Sequence, residues 1–291
     1  MENKTYFVSS DIHGFYTEWM ASLKEAGFDK YNDNHILIVC GDIFDRGEEP
    51  WKIYKFLTSF PDERVVLIKG NHEHLLCELV NRKEPCGYDY HNRTYDTIIS
   101  LYKNPADVML RWIKENEDKY DDDMLFRQEA FKVYGKAQAK LYSNAKIKQI
   151  VAWINSPRWL NYYELGKYIF VHSFIPLREN IDRTKLYYRD WRKESSSVLW
   201  EEATWGCPYR LYLAGYFEEE EANGKVLVCG HWHTADFYNE LLYKNEPEKQ
   251  FSVYEKNPIF KADKYPGLIG LDTCTVMTRK VNVLLIKEED I

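Results

Sequence analysis

The sequence has no Cys-X-X-Cys pair; its six cysteines (Cys40, Cys77, Cys86, Cys207, Cys229 and Cys274) are scattered. That pattern argues against a thiolate zinc site or a disulfide framework, and it suits small buried thiols in a reduced, cytoplasmic protein. No apolar run approaches the roughly 20 residues that cross a bilayer, so no membrane partner is expected. The first residues, MENKTYFVSSD, lack the apolar core of a signal peptide. There is no basic excess: 46 Asp and Glu against 39 Lys and Arg leave a net charge of −7. A general nucleic-acid binder would show the opposite balance, while a local basic pocket for a phosphorylated substrate is compatible with it. No repeat and no low-complexity stretch interrupts the chain. With 45% hydrophobic and 16% aromatic content in 291 residues it can bury a sizeable core, and a single domain over 1–291 is expected.

The first third alternates short β-branched runs with amphipathic stretches. Tyr6–Val8, Ile36–Val39 and Val65–Ile68 read as buried strands, and Phe15–Ala26, Trp51–Leu57 and Glu73–Val80 as helices. From about 81 to 145 the chain turns charged, Tyr-rich and helical, which predicts a helical cap or insertion. Within it, Asp121 to Asp123 and their neighbours read as a solvated acidic run, as does Glu218–Glu221 later. Strand signals return at Tyr168–Val171, Lys225–Val228, Leu268–Leu271 and Val281–Ile286.

The chemistry sits where these strands end. Tyr6–Val8 runs into Asp11 and His13; Ile36–Val39 into Asp42, Asp45 and Arg46; Val65–Ile68 into Asn71 and His72; Phe170-Val171 into His172; Val226–Val228 into His231 and His233. Ligands of α/β sheets bind beyond the carboxyl ends of strands, so five strand ends present Asp, Asn and His to one region. Carboxylate oxygen with imidazole suits manganese or iron, with zinc also possible. Asp11 and His13, two residues apart, can reach one metal; Asn71, His172 and His231 can hold a second. Asp42 can bridge the pair at the roughly 3.5–4 Å spacing of two-metal hydrolases, which activate water for attack on phosphorus. Arg46 would grip phosphate oxygens, with Asn71 beside it as a further substrate contact. His72 is the candidate general acid, and Asp45 would orient its imidazole. The remaining histidines, His35, His74 and His91, read as structural.

The motifs SDIHG, GDIFDRG, GNHE, VHS and GHWHT, read in order from Asp11 to about Thr234, resemble those of the calcineurin-like metallophosphoesterases, most closely the phosphoprotein phosphatase branch. Within it the chain is similar to bacterial and phage serine/threonine phosphatases and to symmetrical diadenosine tetraphosphatases. The resemblance implies a four-layer α/β/β/α sandwich with two divalent metals at one edge. It implies a phosphoesterase acting on phosphate monoesters of phosphoproteins, or alternatively on dinucleoside polyphosphates or other nucleotides. In the wider superfamily the second histidine of GHWHT ligates the first metal, which makes His233 a further expected ligand.

The departures from the family pattern are local. Ser173-Phe174 follows His172 where small residues are usual. Glu201 and Glu202 follow Trp200 where bacterial members often carry a second phosphate-clamping arginine; Arg189, Arg192 or Arg210 could substitute. The tryptophans at 191, 200 and 205 read as core, and the tyrosines at 88, 90 and 95 as cap surface or pocket wall. A catalytically dead scaffold would have lost ligands, and none is missing here.

Overall fold

The structure, a computed structural model, describes residues 3–120, 123–179, 186–188, 191–217 and 224–291. The chain builds two mixed sheets. The first has the order β12 (Leu284–Lys287), β1 (Thr5–Ser9), β2 (His35–Cys40), β3 (Val65–Ile68) and β4 (Trp159–Leu160). Strands β1 to β4 run parallel, and β12 closes the edge antiparallel to β1. The second has the order β10 (Phe260–Lys261), β11 (Leu268–Gly270), β9 (Val226–Cys229), β6 (Tyr168–Phe170) and β5 (Tyr163–Leu165). A separate hairpin pairs β7 (Leu177–Glu179) with β8 (Leu186–Tyr188).

The β-branched runs form strands because both of their faces are covered. Successive side chains point to opposite faces of a strand. Tyr6, Val8, Ile36 and Ile38 therefore meet Tyr168, Phe170, Val228 and Ile269 between the sheets. Their alternates Phe7, Leu37, Val39 and Leu67 pack outward against helices. Those helices include α1 (Tyr16–Glu25), α2 (Pro50–Leu57) and α3 (Asn71–Arg82), close to the spans expected from periodicity. On the far side of the second sheet, Ile169, Leu227 and Leu268 pack against Trp191, Trp200, Tyr209 and Phe237. The layers are thus helix, sheet, sheet, helix, the expected sandwich. Trp191 and Trp200 are core as expected, whereas Trp205 is 42% exposed.

Between β3 and β4 the described chain is helical: α3, then α4 (Gly87–His91), α5 (Thr94–Leu101), α6 (Pro105–Asn116), α7 (Asp123–Leu141) and α8 (Ala145–Ile154). The second half adds α9 (Ser197–Ala203), α10 (Pro208–Leu213), α11 (Thr234–Leu241) and α12 (Thr275–Thr278). The last strand begins at Leu284 rather than Val281, because Val281 leaves the ladder to pack into the helix-side core. The acidic run Glu218–Glu221 lies outside the described residues. No helix among the described residues is long and apolar enough to cross a membrane.

Candidate metal centre and its surroundings

The carboxyl ends of β1, β2, β3, β6 and β9 open on one edge of the sandwich, and each delivers polar side chains there. The turns are tight. Asp11, His13, Asp42, Asp45, Arg46 and His231 all have left-handed backbone, φ between 49° and 67°. Non-glycine residues rarely adopt that region, and it costs on the order of 1 kcal/mol or more where they do. Two neighbouring glycines are required by close approach rather than by φ. A methyl group on Gly70 would overlap the Asp42 carboxylate, and one on Gly230 would overlap Ser10 and Asp11.

Asp42 is the centre of the arrangement. Its carboxylate belongs to two groups of potential ligands whose donor atoms lie within 4.8 Å of one another: His13, Asp42 and His72, and Asp42, His172 and His231. One Asp42 oxygen, Oδ2, lies 3.8 Å from both His13 Nε2 and His72 Nε2, and the other, Oδ1, lies 3.4 Å from His172 Nε2. Asn71 Oδ1 is 2.9 Å from the same His172 nitrogen. Asp11 approaches His13 Nε2 at 3.9 Å, while its other oxygen accepts from the His231 backbone N–H and the Ser10 hydroxyl.

The tautomers follow from the partners. His13 Nδ1 lies 3.0 Å from the Phe44 carbonyl and His172 Nδ1 lies 2.9 Å from the Cys40 carbonyl. A carbonyl only accepts, so each Nδ1 carries the proton and each Nε2 turns a lone pair inward. In the neutral tautomer His172 Nε2 faces two oxygens, Asn71 Oδ1 2.9 Å away and Asp42 Oδ1 3.4 Å away. A cation resolves that clash of acceptors. The guanidinium of Arg46, which only donates, already lies 3.0 Å from His13 Nε2 and 3.3 Å from His72 Nε2. The electrostatic surroundings act in the same direction. Burial, then Arg46 and His72, hold His13 well below its ordinary pKa, and burial with His172 lowers His231 to about 3. Both imidazoles are thus held toward the neutral form, the one able to bind a metal. Against the upward push of burial, the surrounding histidines, His172 first, keep the Asp42 carboxyl below its usual range. Burial, Asp272 and Asp42 push Asp11 well above its own. The donor set fits divalent metals, with Asp42 shared between two positions.

His72 begins α3 and is held differently. Its Nδ1 donates to Asp45 Oδ2 over 2.7 Å, and its backbone N–H donates to Asp42 Oδ1 over 3.0 Å. Burial would lower its pKa, but Asp42 and then Asp45 outweigh that and raise it. Asp45 itself accepts from the hydroxyls of Thr94 and Thr97, both at 2.7 Å. His233 lies outside both ligand groups: it is 3.6 Å from Asp236 and 3.8 Å from buried Asp272. Burial opposes its protonation, yet Cys274 and Asp272 raise it to about 9.

Three supporting elements escape the sequence reading. Glu73, which the sequence marks only as the end of GNHE and the start of a helix, is fully buried, and its carboxylate accepts three backbone N–H groups: Gly70 at 2.8 Å, Asp42 at 2.9 Å and Ile43 at 3.0 Å. Asp272, just beyond β11, obeys the same strand-end rule that exposed the other carboxylates and could have been found by it. Thr94 and Thr97 carry no local signal. Of the arginines expected near a second clamp, Arg192 lies over Trp191 and pairs with Glu164, and Arg210 lies near Tyr209 and Trp232. Arg189 lies outside the described residues.

The chain is similar to several known proteins. A symmetrical bis(5'-nucleosyl)-tetraphosphatase of Buchnera aphidicola (Acyrthosiphon pisum, strain 5A) is 41% identical over 69 residues, 24% of each chain. Its counterpart from Buchnera aphidicola (Schizaphis graminum, strain Sg) is 26% identical over 183 residues, 62% of this chain and 48% of that one. The match thus spans between about a quarter and a half of these curated relatives. A solved protein serine/threonine phosphatase from Saccharomyces cerevisiae covers 98% of this chain and 79% of its own at 12% identity, with a TM-score of 0.44. The sequence pattern that defines the calcineurin-like phosphoesterases matches residues 5–235, which takes in β1 to β9 and every candidate ligand named above. By that match over most of its length, the chain belongs to the calcineurin-like phosphoesterase family.

Proposed function

We propose that this chain is a metal-dependent phosphoester hydrolase acting on phosphate monoesters, in the manner of a serine/threonine protein phosphatase. The observation that carries the reading is the Asp42 carboxylate, shared by a His13–His72 group and a His172–His231 group. Asp11, His13 and Asp42 would hold one divalent cation and Asp42, Asn71, His172 and His231 the other, with His233 a more remote candidate. Manganese or iron suits this oxygen and nitrogen donor set, and zinc is compatible. When bound, such a pair supplies Lewis acidity, neutralising phosphoryl charge and acidifying water.

The chain's own residues do the rest. Arg46, now resting on His13 and His72, presents a planar fork that can exchange those nitrogens for two phosphoryl oxygens. His72 delivers a proton from Nε2 to the departing alkoxide, its ring fixed by the Nδ1–H bond to Asp45. Thr94 and Thr97 each donate to Asp45 and hold it in the orientation that this requires. The buried walls exclude bulk water, which strengthens each of these charge contacts.

A second reading, cleavage of a dinucleoside polyphosphate or other nucleotide, is favoured by one specific feature. Trp205 lies with its ring 5.9 Å from that of His231, and Tyr88 lies 6.3 Å from Trp205. Both rings are partly exposed, as a surface for stacking a base would be. The curated relatives carry the corresponding name. The test is phosphate release by metal-stripped protein with manganese restored, on p-nitrophenyl phosphate, a phosphothreonine peptide and diadenosine tetraphosphate. Turnover of the first two alone supports the monoester reading, and selective cleavage of the third replaces it with the nucleotide reading. Inactivity on all three with two metals bound would overturn both.

A further inference from the structure

Next to the metal centre lies a polar cavity of about 330 Å³ that the proposed reaction leaves unused. Arg46, Arg93 and Arg279 all line it, although they stand far apart in sequence. All three have left-handed backbone, with φ of 66°, 60° and 53°. A glycine or asparagine would hold these turns at less strain, so arginine here is not explained by the turn. Two of the arginines are also tied to the centre. Arg93 precedes Thr94, which holds Asp45, and Arg279 ends the turn whose Thr275 hydroxyl donates to the Asp11 carbonyl over 2.8 Å. The Arg279 guanidinium rests 4.5 Å from the Phe15 ring centre.

We infer that this cavity is a second anion subsite, taking the phosphate one link beyond the scissile one, so that the substrate carries a phosphate chain. This deepens the second, nucleotide reading of the hydrolase and rests on it. Arg46 is the shared wall: its fork serves the scissile phosphoryl group on one side and the cavity on the other. The cavity also holds Glu18, Glu48 and Glu49, and their engagements matter. Glu49 already receives the Thr17 N–H and the Lys52 ammonium, and Glu48 is exposed to solvent. Glu18 takes a single 3.3 Å contact from Arg279 Nη1, and Arg93 gives Asp96 only its Nε. Each guanidinium has five N–H donors, so both retain donors for an anion. The volume of the cavity and its three guanidinium groups fit a linked phosphate.

The experiment is calorimetric binding of pyrophosphate and of orthophosphate to the manganese-loaded full chain, at fixed free manganese, for the wild type, Arg93→Gln and Arg279→Gln. Both side chains are at least half exposed, so these variants fold. Loss of one charged contact should weaken pyrophosphate about tenfold in each variant while orthophosphate shifts far less. Equal weakening of both anions, or no change in either, would overturn the subsite. Turnover of p-nitrophenyl phosphate and of diadenosine tetraphosphate is recorded alongside. Absence of both with the pyrophosphate preference intact would sink the hydrolase reading and leave the subsite standing.

Discussion

Glu73 offers a sharp test of how the centre is built, because it touches neither proposed metals nor substrate. Its side chain is 0% exposed and its carboxylate is the acceptor for three N–H groups of two different loops. Truncation to alanine strands those three donors. A buried donor left unpaired costs about 1–3 kcal/mol, so Glu73→Ala should lose roughly 3–6 kcal/mol, less where water enters the space. Glutamine keeps the shape and one carbonyl. That oxygen can serve Gly70 and Asp42, but the amide NH2 then faces the Ile43 N–H, so Glu73→Gln should lose roughly 1–3 kcal/mol. Burial and Asp42 push the Glu73 carboxyl up to about 7, so wild-type stability falls as pH rises through that value, and both variants should lose less at pH 8 than at pH 6. Urea unfolding of metal-stripped protein gives the stabilities without a contribution from metal binding. The same variants should bind manganese less well, since the Asp42–Ile43 backbone is no longer pinned at φ 54°. The reasoning fails if alanine costs under about 0.5 kcal/mol, the level of an ordinary surface change, or if glutamine costs more than alanine.

Other outcomes follow from the same geometry. Asp42→Asn should lose both metals together, measured by elemental analysis, because one carboxylate serves both histidine groups; retention of either metal at full occupancy would place the bridge elsewhere. His72→Ala should cut turnover by about 10²–10⁴ on alkyl phosphates and far less on p-nitrophenyl phosphate, whose leaving group needs little protonation. Equal losses on both substrates would remove His72 as the acid, and a fall in metal content would make it a ligand instead. Gly70→Ala places a methyl group against the Asp42 carboxylate and should cost about 1–3 kcal/mol together with metal affinity; an unchanged melting temperature would contradict the crowding.

Much of the centre was legible because its residues sit at strand ends, where a run such as Ile36–Val39 stops abruptly at Gly41-Asp42. The supporting contacts were not. Thr94 and Thr97 lie 49 and 52 residues beyond the Asp45 they hold, in a helix whose pattern reports only its own buried face. The parting of strands into two sheets left no mark either. Tyr6, Phe7 and Val8 are all apolar because one face meets a sheet and the other meets helices, and a run buried on both faces looks alike in one sheet or two. The family resemblance supplied that distinction. Short strands such as Trp159–Leu160 and Phe260–Lys261 have two residues each, too few for any periodicity. The second clamp was sought among Arg189, Arg192 and Arg210, near Trp200 in sequence, whereas the cavity beside Arg46 is lined by Arg93 and Arg279.

The hydrogen bond from His172 to the Cys40 carbonyl crosses from one sheet to the other, and the ligands divide in the same way. Asp11, His13, Asp42 and Asn71 follow strands of the first sheet, and His172 and His231 follow strands of the second. No fragment confined to one sheet can assemble the centre. A chain cut between β4 and β5, which leaves Asp11 to Asn71 on one piece and His172 and His231 on the other, should recover tight metal binding only when the two pieces are mixed. Metal affinity then becomes a gauge of sheet docking, and a folding experiment can follow the late joining of the halves by watching when the ion is captured.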